Sequence, residues 1–131
     1  MNPLKMMKAM FASAPRLNPS ECAARVRSGK ALLIDVREPG EWAAGVAQSA
    51  QLLPLSDLTG SRAEWKQFLA QVEGREVLLY CASGGRSGMA TSILVAEGVQ
   101  AANTGGLSDW LDAGWPLANT TAPRPKKLPR K

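Results

Sequence analysis

The 131-residue sequence has no histidine, so no mechanism that needs an imidazole is available to it. This absence excludes a Cys-His pair, a Ser-His-Asp triad and a zinc site with histidine ligands. The two cysteines, Cys22 and Cys81, are too few for a disulfide framework. No apolar run approaches the roughly 20 residues of a membrane-spanning helix, and we expect no membrane partner, no metal and no cofactor. A chain of this length can form one domain with an ordinary core.

Acidic residues are in the minority, but the excess of positive charge is confined to the two ends of the sequence. There are 16 Lys and Arg against 11 Asp and Glu, a net charge of +5. Residues 18–117 hold 8 of the basic residues and all 11 acidic ones, a net charge of −3. A nucleic-acid binder concentrates positive charge on a folded face, so we expect no nucleic-acid partner.

The two ends are typical of tails around a single domain at 18–117. Within residues 1–17, the apolar stretch at 9–14 is shorter than the roughly 7–15 residues of a signal-peptide core, and Pro15 follows it directly. We therefore expect a frayed tail and a cytoplasmic protein, with a cleaved signal and a periplasmic location as the alternative. Residues 118–131 are basic and rich in proline, which predicts a disordered, solubilising extension. Binding of an acidic partner or RNA is the alternative for this tail.

Hydrophobic patterning predicts alternating strands and helices within the domain. Short apolar runs rich in branched residues predict strands at 31–36, 50–55, 76–80 and 99–104. Amphipathic or capped segments predict helices at 18–28, 61–73 and 87–97, and a short one between Gly106 and Pro116. This alternation predicts an α/β domain whose parallel sheet is covered by helices on both faces.

Two of these helices carry capping signals at their starts. Asn18 precedes Pro19 and stands three residues before Glu21, an arrangement that favours a helix start. Ser61 stands three residues before Glu64, which predicts a second capping box.

A cysteine stands where the third predicted strand ends, in the stretch VLLYCASGGRSG. Parallel sheets bind ligands beyond the carboxyl ends of their strands, and Cys81 lies at such an end. The two glycines that follow allow the chain to turn back into a helix, which leaves the amide hydrogens of residues 82–87 free to converge on an anion. A thiol at a helix start becomes a thiolate more readily, and Arg86 is the nearest cation in the sequence. We therefore predict that Cys81 is a nucleophile in a substrate-binding loop formed by Ala82, Ser83, Gly84, Gly85, Arg86 and Ser87.

The spacing of this loop leaves three interpretations open. Cysteine is among the residue types most often buried, so Cys81 can be a core residue. Cysteine phosphatases use Cys-x5-Arg, whereas four residues separate Cys81 from Arg86. The smaller ring suits a second sulfur atom bonded to the first better than it suits a phosphoryl group. This favours sulfur transfer through a cysteine persulfide that main-chain NH groups stabilise.

The loop YCASGGRS resembles the active loop of the rhodanese family, the single-domain thiosulfate sulfurtransferases. LIDVREPGEW at 33–42 is similar to the family signature near the start of the domain, and NTGGLSDWLDAGWPL at 103–117 is similar to its closing segment. The resemblance spans 18–117 and implies a rhodanese-like α/β domain with a central, mostly parallel β-sheet. One departure is GVAQSA at 45–50, where the family has Gly-His-Ile-x-Gly-Ala. We expect a repacked turn there and unchanged sulfur chemistry.

The resemblance also implies a cycle of two displacements with a covalent intermediate. Cys81 attacks the outer sulfur of a donor such as thiosulfate, and the persulfide then passes its sulfur to cyanide, to a thiol or to a protein acceptor. No general base is needed, which agrees with the absence of histidine. The alternatives are a sulfur-relay module that turns over thiosulfate poorly and docks through its basic tail, and a cysteine phosphatase of related fold.

Three further residues carry expectations. The resemblance suggests that Asp35 and Arg37 support the loop through charge-assisted hydrogen bonds. An ordinary, partly exposed ion pair worth less than ~1 kcal/mol is the alternative. Cys22 is expected to pack in the core, and a second thiol that resolves a persulfide is the alternative.

Overall fold

Four parallel strands form the central sheet of the protein in a computed structural model that describes residues 14–120 and 128. The strands are β1 (Ala31–Asp35), β2 (Val46–Ala47), β3 (Gln51–Leu52), β4 (Glu76–Cys81), β5 (Ala101–Gly106) and β6 (Leu117–Ala118). The helices are α1 (Pro19–Arg27), α2 (Pro39–Trp42), α3 (Leu55–Leu58), α4 (Ala63–Leu69), α5 (Gly85–Ala96) and α6 (Leu107–Asp112). The sheet order is β3-β1-β4-β5, and every neighbouring pair is parallel, which confirms the predicted α/β class.

Each face of this sheet carries its own apolar cluster, because side chains alternate between the two faces along a strand. The first cluster packs α4 and α5 against one face, and its members include Leu32, Ile34, Trp65, Val77, Leu79 and Leu94. The second cluster packs α1 and α6 against the other face, and its members include Cys22, Leu33, Leu78, Tyr80 and Trp110. The prediction of helices on both faces is therefore confirmed.

A short N-terminal segment pairs with the outer edge of β5. The N–H of Asn103 donates to the carbonyl of Pro15 (2.8 Å), and the N–H of Leu17 donates to the carbonyl of Asn103 (3.1 Å). Arg16 is thus bridged to Asn103 in parallel register. Residues 15–17, which the sequence analysis placed in a frayed tail, satisfy backbone groups that an edge strand leaves open.

A second, two-stranded sheet was not predicted. Val46 pairs with Ala118 and Ala47 pairs with Leu117 in antiparallel register. The sequence analysis placed Ala118 in the C-terminal tail, whereas the structure pairs it in β6. Strands of two residues carry too little alternation to be recognised from their pattern.

The two tails are described only in part. Residues 1–13, 121–127 and 129–131 lie outside the described residues, so the alternatives for both tails stay predictions. Leu128 packs against the first cluster. In the part of the chain that the structure describes, no helix is long and apolar enough to cross a membrane.

The turn at 45–50 is shaped by two residues with positive φ. Gly45 has φ +121°, and a Cβ there would lie 2.9 Å from the side chain of Leu117. Ser49 has φ +71°, a left-handed conformation that glycine adopts at lower cost. Ser49 therefore has a backbone conformation that suits glycine better. Glycine is the residue that the rhodanese family has at this position.

One of the two predicted helix starts is confirmed and the other is wrong. Asn18 Oδ1 accepts a hydrogen bond from the N–H of Glu21 (3.0 Å), as predicted for the start of α1. At the start of α4, the residue before the helix is Arg62, with φ +62°. The N–H of Trp65 donates to Asp57 Oδ2 (2.8 Å). A carboxylate from the preceding helical turn thus takes the place predicted for the Ser61 hydroxyl.

Candidate active site

The candidate loop joins the end of β4 to the start of α5. Cys81 is the last residue of β4, and Gly84 is the residue before the helix, with φ +101°. A Cβ on Gly84 would lie 3.4 Å from the Cα of Gly105 on the neighbouring strand, so both its conformation and its contact favour glycine. Gly85 has no positive φ and open space where a Cβ would lie. Only the first of the two glycines is therefore required by the turn.

Hydrogen-bond donors surround the sulfur of Cys81. The N–H of Gly84 donates to Sγ at 3.0 Å, and the hydroxyl of Ser87 lies 3.4 Å from it. Burial raises the pKa of the Cys81 thiol, but the Ser87 hydroxyl and the N–H groups of Ser87, Ser83 and Gly84 lower it by more. The net result is a pKa below the ordinary value of a cysteine, so the loop favours a thiolate.

Cys22 shows that burial alone does not lower the pKa of a cysteine. Cys22 is fully buried in the second cluster, on the opposite face of the sheet from Cys81. Its S–H donates to the carbonyl of Asn18 at 3.3 Å, so its closest polar neighbour is an acceptor. Burial raises the pKa of Cys22 to about 11. The two thiols lie on different faces, and Cys22 packs in the core as predicted.

Asn103 on β5 contacts the loop through its side-chain amide. The single hydrogen of the Ser87 hydroxyl has several acceptors within reach, among them Asn103 Oδ1 at 2.7 Å and Cys81 Sγ at 3.4 Å. Asn103 Nδ2 donates to the carbonyl of Gly84 at 3.0 Å. The N–H of Gly105 also donates to Asn103 Oδ1 (3.0 Å). Sequence reasoning missed Asn103. A polar side chain within an apolar strand was the available signal, because buried polar groups require partners.

Arg86 is paired with a carboxylate that the sequence analysis did not assign. Its guanidinium donates to both carboxylate oxygens of Glu41, at 2.5 and 2.8 Å. The hydrogen bond from Arg86 lowers the pKa of Glu41 to about 2. We expected the guanidinium to turn toward an incoming oxyanion, whereas the structure places it on Glu41 in α2. The segment containing Glu41 follows the carboxyl end of β1, and this position was the available signal.

Asp35 and Arg37 form a buried ion pair rather than a partly exposed one. Arg37 Nη2 lies 2.9 Å from Asp35 Oδ2, and the two side chains are 8% and 0% exposed. Arg37 Nη2 also donates to the carbonyl of Gly45 at 2.8 Å. Nearby, the hydroxyl of Tyr80 accepts a hydrogen bond from the N–H of Ala47 at 2.9 Å. These contacts stabilise the turn before β2, and a role of the pair in supporting the cysteine loop stays a prediction.

The candidate nucleophile is buried, although the loop that follows it is at the surface. Cys81 is 1% exposed and belongs to the first cluster, whereas Ala82, Ser83 and Gly85 are exposed. The thiol therefore lies beneath a surface loop. Any reaction at Sγ requires this loop to admit the reacting atom of the substrate.

Comparison with known proteins shows one family. The Rhodanese-like domain family matches residues 18–113. An uncharacterized protein of Synechocystis sp. is 41% identical over 91 residues, which cover 68% of this chain and 48% of that protein. The chain thus spans about half the length of this curated relative.

Solved structures agree with the fold. A rhodanese-related protein from Thermoplasma volcanium is 27% identical, with a TM-score of 0.66, and the match covers 79% of this chain and 97% of that one. A Rhodopseudomonas palustris protein of unknown function, described as a possible tyrosine phosphatase, has a TM-score of 0.67 over 87% of this chain and 91% of its own. At 23% identity, this second likeness shows the fold alone. From its match over residues 18–113 and its parallel sheet, the chain belongs to the rhodanese-like domain family.

Proposed function

We propose that this protein is a sulfurtransferase that carries sulfur as a persulfide on Cys81. The donor is thiosulfate or a similar compound, and the acceptor is cyanide, a thiol or a protein thiol. The observation that carries the proposal is the convergence of the Gly84 N–H and the Ser87 hydroxyl on Sγ, at 3.0 and 3.4 Å. A core cysteine needs no such donors, as Cys22 shows in the same protein.

The proposed cycle has two displacements. The Cys81 thiolate attacks the outer sulfur of thiosulfate, a new S–S bond forms, and the bond to the sulfonate sulfur breaks with its electron pair leaving on sulfite. Cyanide then attacks the outer sulfur of the persulfide, which breaks the S–S bond, releases thiocyanate and restores the thiolate. Neither step needs a proton to be moved, so a chain without histidine can perform both.

The loop stabilises negative charge on sulfur through its main chain. The N–H of Gly84 donates to the Cys81 sulfur at 3.0 Å, and the N–H groups of Ser83 and Ser87 also lower the pKa of its thiol. Preorganised N–H donors stabilise developing anionic charge without reorganising during the reaction. With four residues between Cys81 and Arg86, the ring is one residue smaller than Cys-x5-Arg, which supports a sulfur atom over a phosphoryl group as its occupant.

The test is thiocyanate formation from thiosulfate and cyanide by the purified chain. We expect activity in the unaltered protein and in Cys22→Ser, and none in Cys81→Ser. We expect ping-pong kinetics, in which double-reciprocal plots for one substrate at several fixed concentrations of the other are parallel lines. Full activity in Cys81→Ser would refute the proposal, and so would hydrolysis of an aryl phosphate without any thiocyanate formation.

A further inference from the structure

We infer that Arg16 binds the anionic part of the sulfur donor, an inference that rests on the proposed sulfur transfer. The sequence analysis left Arg16 in the N-terminal tail. The structure instead places its side chain against Gly84 of the Cys81 loop. The donors that this selects are those with negative charge next to the transferable sulfur, such as thiosulfate.

The backbone of Arg16 is fixed relative to the candidate site. Arg16 is bridged to Asn103 in parallel register, through the hydrogen bonds of the residues on either side of it. The side chain of Asn103 in turn holds Ser87 and Gly84 of the loop. One residue of β5 therefore connects the segment that carries Arg16 to the donors around Cys81.

The side chain of Arg16 lies against the loop. Its Nη2 is 3.8 Å from the point where a Cβ on Gly84 would lie. Gly84 is the residue whose N–H donates to the Cys81 sulfur. Arg16 also lines a cleft of about 540 Å³, together with Thr104 and Gly105 of β5 and with residues of α1 and α6.

Arg16 differs from four other described arginines in its ion pairing. Four other arginines pair with carboxylates within 2.9 Å, in the pairs Arg25–Glu76, Arg37–Asp35, Arg62–Glu97 and Arg86–Glu41. Among the described residues, no carboxylate forms a salt bridge with Arg16. Asp109 and Asp112 line the same cleft, but Asp109 Oδ2 accepts a hydrogen bond from the N–H of Gly106 at 2.7 Å. An arginine without a carboxylate partner is free to pair with an anionic substrate.

The first test separates binding from chemistry. Arg16→Ala should raise the KM for thiosulfate roughly fivefold with little change in kcat, because the cation acts on the bound anion throughout the reaction. Arg16→Lys should recover part of this loss. The matched control is Lys30→Ala, which removes the same charge from an exposed position at the start of β1. A KM for Arg16→Ala equal to that of Lys30→Ala would overturn the inference.

A second test does not depend on sulfur transfer. Alkylation of Cys81 by iodoacetate, an anion, is compared with alkylation by iodoacetamide, a neutral reagent of similar size. Arg16→Ala should lower the ratio of the two rates at least threefold, whereas Lys30→Ala should leave it unchanged. An unchanged ratio in Arg16→Ala would contradict the role of Arg16. A lowered ratio in a protein that forms no thiocyanate would uphold the anion site and refute the sulfurtransferase proposal.

Discussion

Asn103 fixes Ser87 at the candidate site, because its side-chain amide is oriented by backbone groups on both sides. Its Oδ1 accepts from the N–H of Gly105 at 3.0 Å and lies 2.7 Å from the Ser87 hydroxyl, while its Nδ2 donates to the carbonyl of Gly84 at 3.0 Å. Exchange of the amide oxygen and nitrogen would place the NH2 group against the N–H of Gly105 and the oxygen against the carbonyl of Gly84. The carboxamide therefore holds the hydroxyl and the helix start in one arrangement around the thiol.

Replacing this amide by a carboxylate should suppress the thiolate. Asn103→Asp keeps the shape of the side chain but adds a negative charge close to Cys81 and removes the bond to the Gly84 carbonyl. We expect the pKa of Cys81 to rise, which lowers its thiolate fraction and slows alkylation by iodoacetamide at pH 7. Asn103→Ala, which adds no charge, should have a smaller effect. Equal alkylation rates in Asn103→Asp and the unaltered protein would contradict the role given to Asn103.

The Ser87 hydroxyl should be visible in the pH dependence of Cys81 reactivity. Its hydrogen bond and the loop N–H groups lower the pKa of Cys81, so the alkylation rate should reach half of its maximum below the ordinary pKa of a cysteine. Ser87→Ala should move this midpoint upward. Peptide mass spectrometry assigns the alkylated cysteine, and we expect Cys22 to react only after unfolding. A midpoint that stays in place in Ser87→Ala would count against the hydroxyl.

Cys22 should make the protein less stable at alkaline pH. Its pKa is raised from 9.0 to about 11, so the folded state keeps a proton that the unfolded state releases between these values. The stability that this proton contributes is fully present below pH 9 and is lost as pH rises to 11. Two units correspond to roughly 3 kcal/mol in the free energy of unfolding.

Cys22→Ser tests this assignment, because serine retains a donor for the carbonyl of Asn18 but does not titrate in this range. Urea unfolding at pH 8, 9.5 and 11 should show a shallower loss of stability in the serine variant than in the unaltered protein. Tyr80 is buried and its pKa is also raised. Its ionisation therefore destabilises both proteins equally, and this effect cancels in the comparison. Parallel pH profiles would show that Cys22 has no such linkage.

The pair between Arg86 and Glu41 should contribute little to stability and do so only above acid pH. The pKa of Glu41 is lowered from 4.5 to about 2, so its contribution is present above 4.5 and is lost as pH falls to 2. Both side chains are about a third exposed, at 36% and 35%, which limits the contribution to less than ~1 kcal/mol. Glu41→Gln should therefore be slightly less stable than the unaltered protein at pH 6 and equal to it at pH 2. A difference that persists at pH 2 would show that Glu41 acts through packing.

Much of the fold was predictable, because its elements carry strong local signals. The apolar runs of β1 and β4 are buried throughout their interiors, and Asn18 caps α1 as its sequence indicates. The second sheet was not predictable, since β2 and β6 have two residues each and depend on contacts between distant segments. The capping box at Ser61 was wrong because Asp57, from the preceding helical turn, accepts the helix N–H instead.

Part of the candidate site was also predictable from the sequence, and part was not. The residues around Cys81 are consecutive in the sequence, so their convergence on the sulfur followed from a strand, a turn and a helix. The partners of these residues come from elsewhere in the chain: Asn103 from β5, Glu41 from α2 and Arg16 from the segment before α1. Their positions in the sequence have no regular spacing from the loop, so the sequence did not predict these contacts. They reach the loop only because the sheet packs distant segments side by side.

The intact mass of the protein after treatment with thiosulfate tests the central claim most directly. The unaltered protein and Cys22→Ser should each gain the mass of one sulfur atom, cyanide should remove it, and Cys81→Ser should gain nothing. A protein that gains no sulfur under these conditions, or a Cys81→Ser variant that gains as much as the unaltered chain, would contradict a persulfide on Cys81.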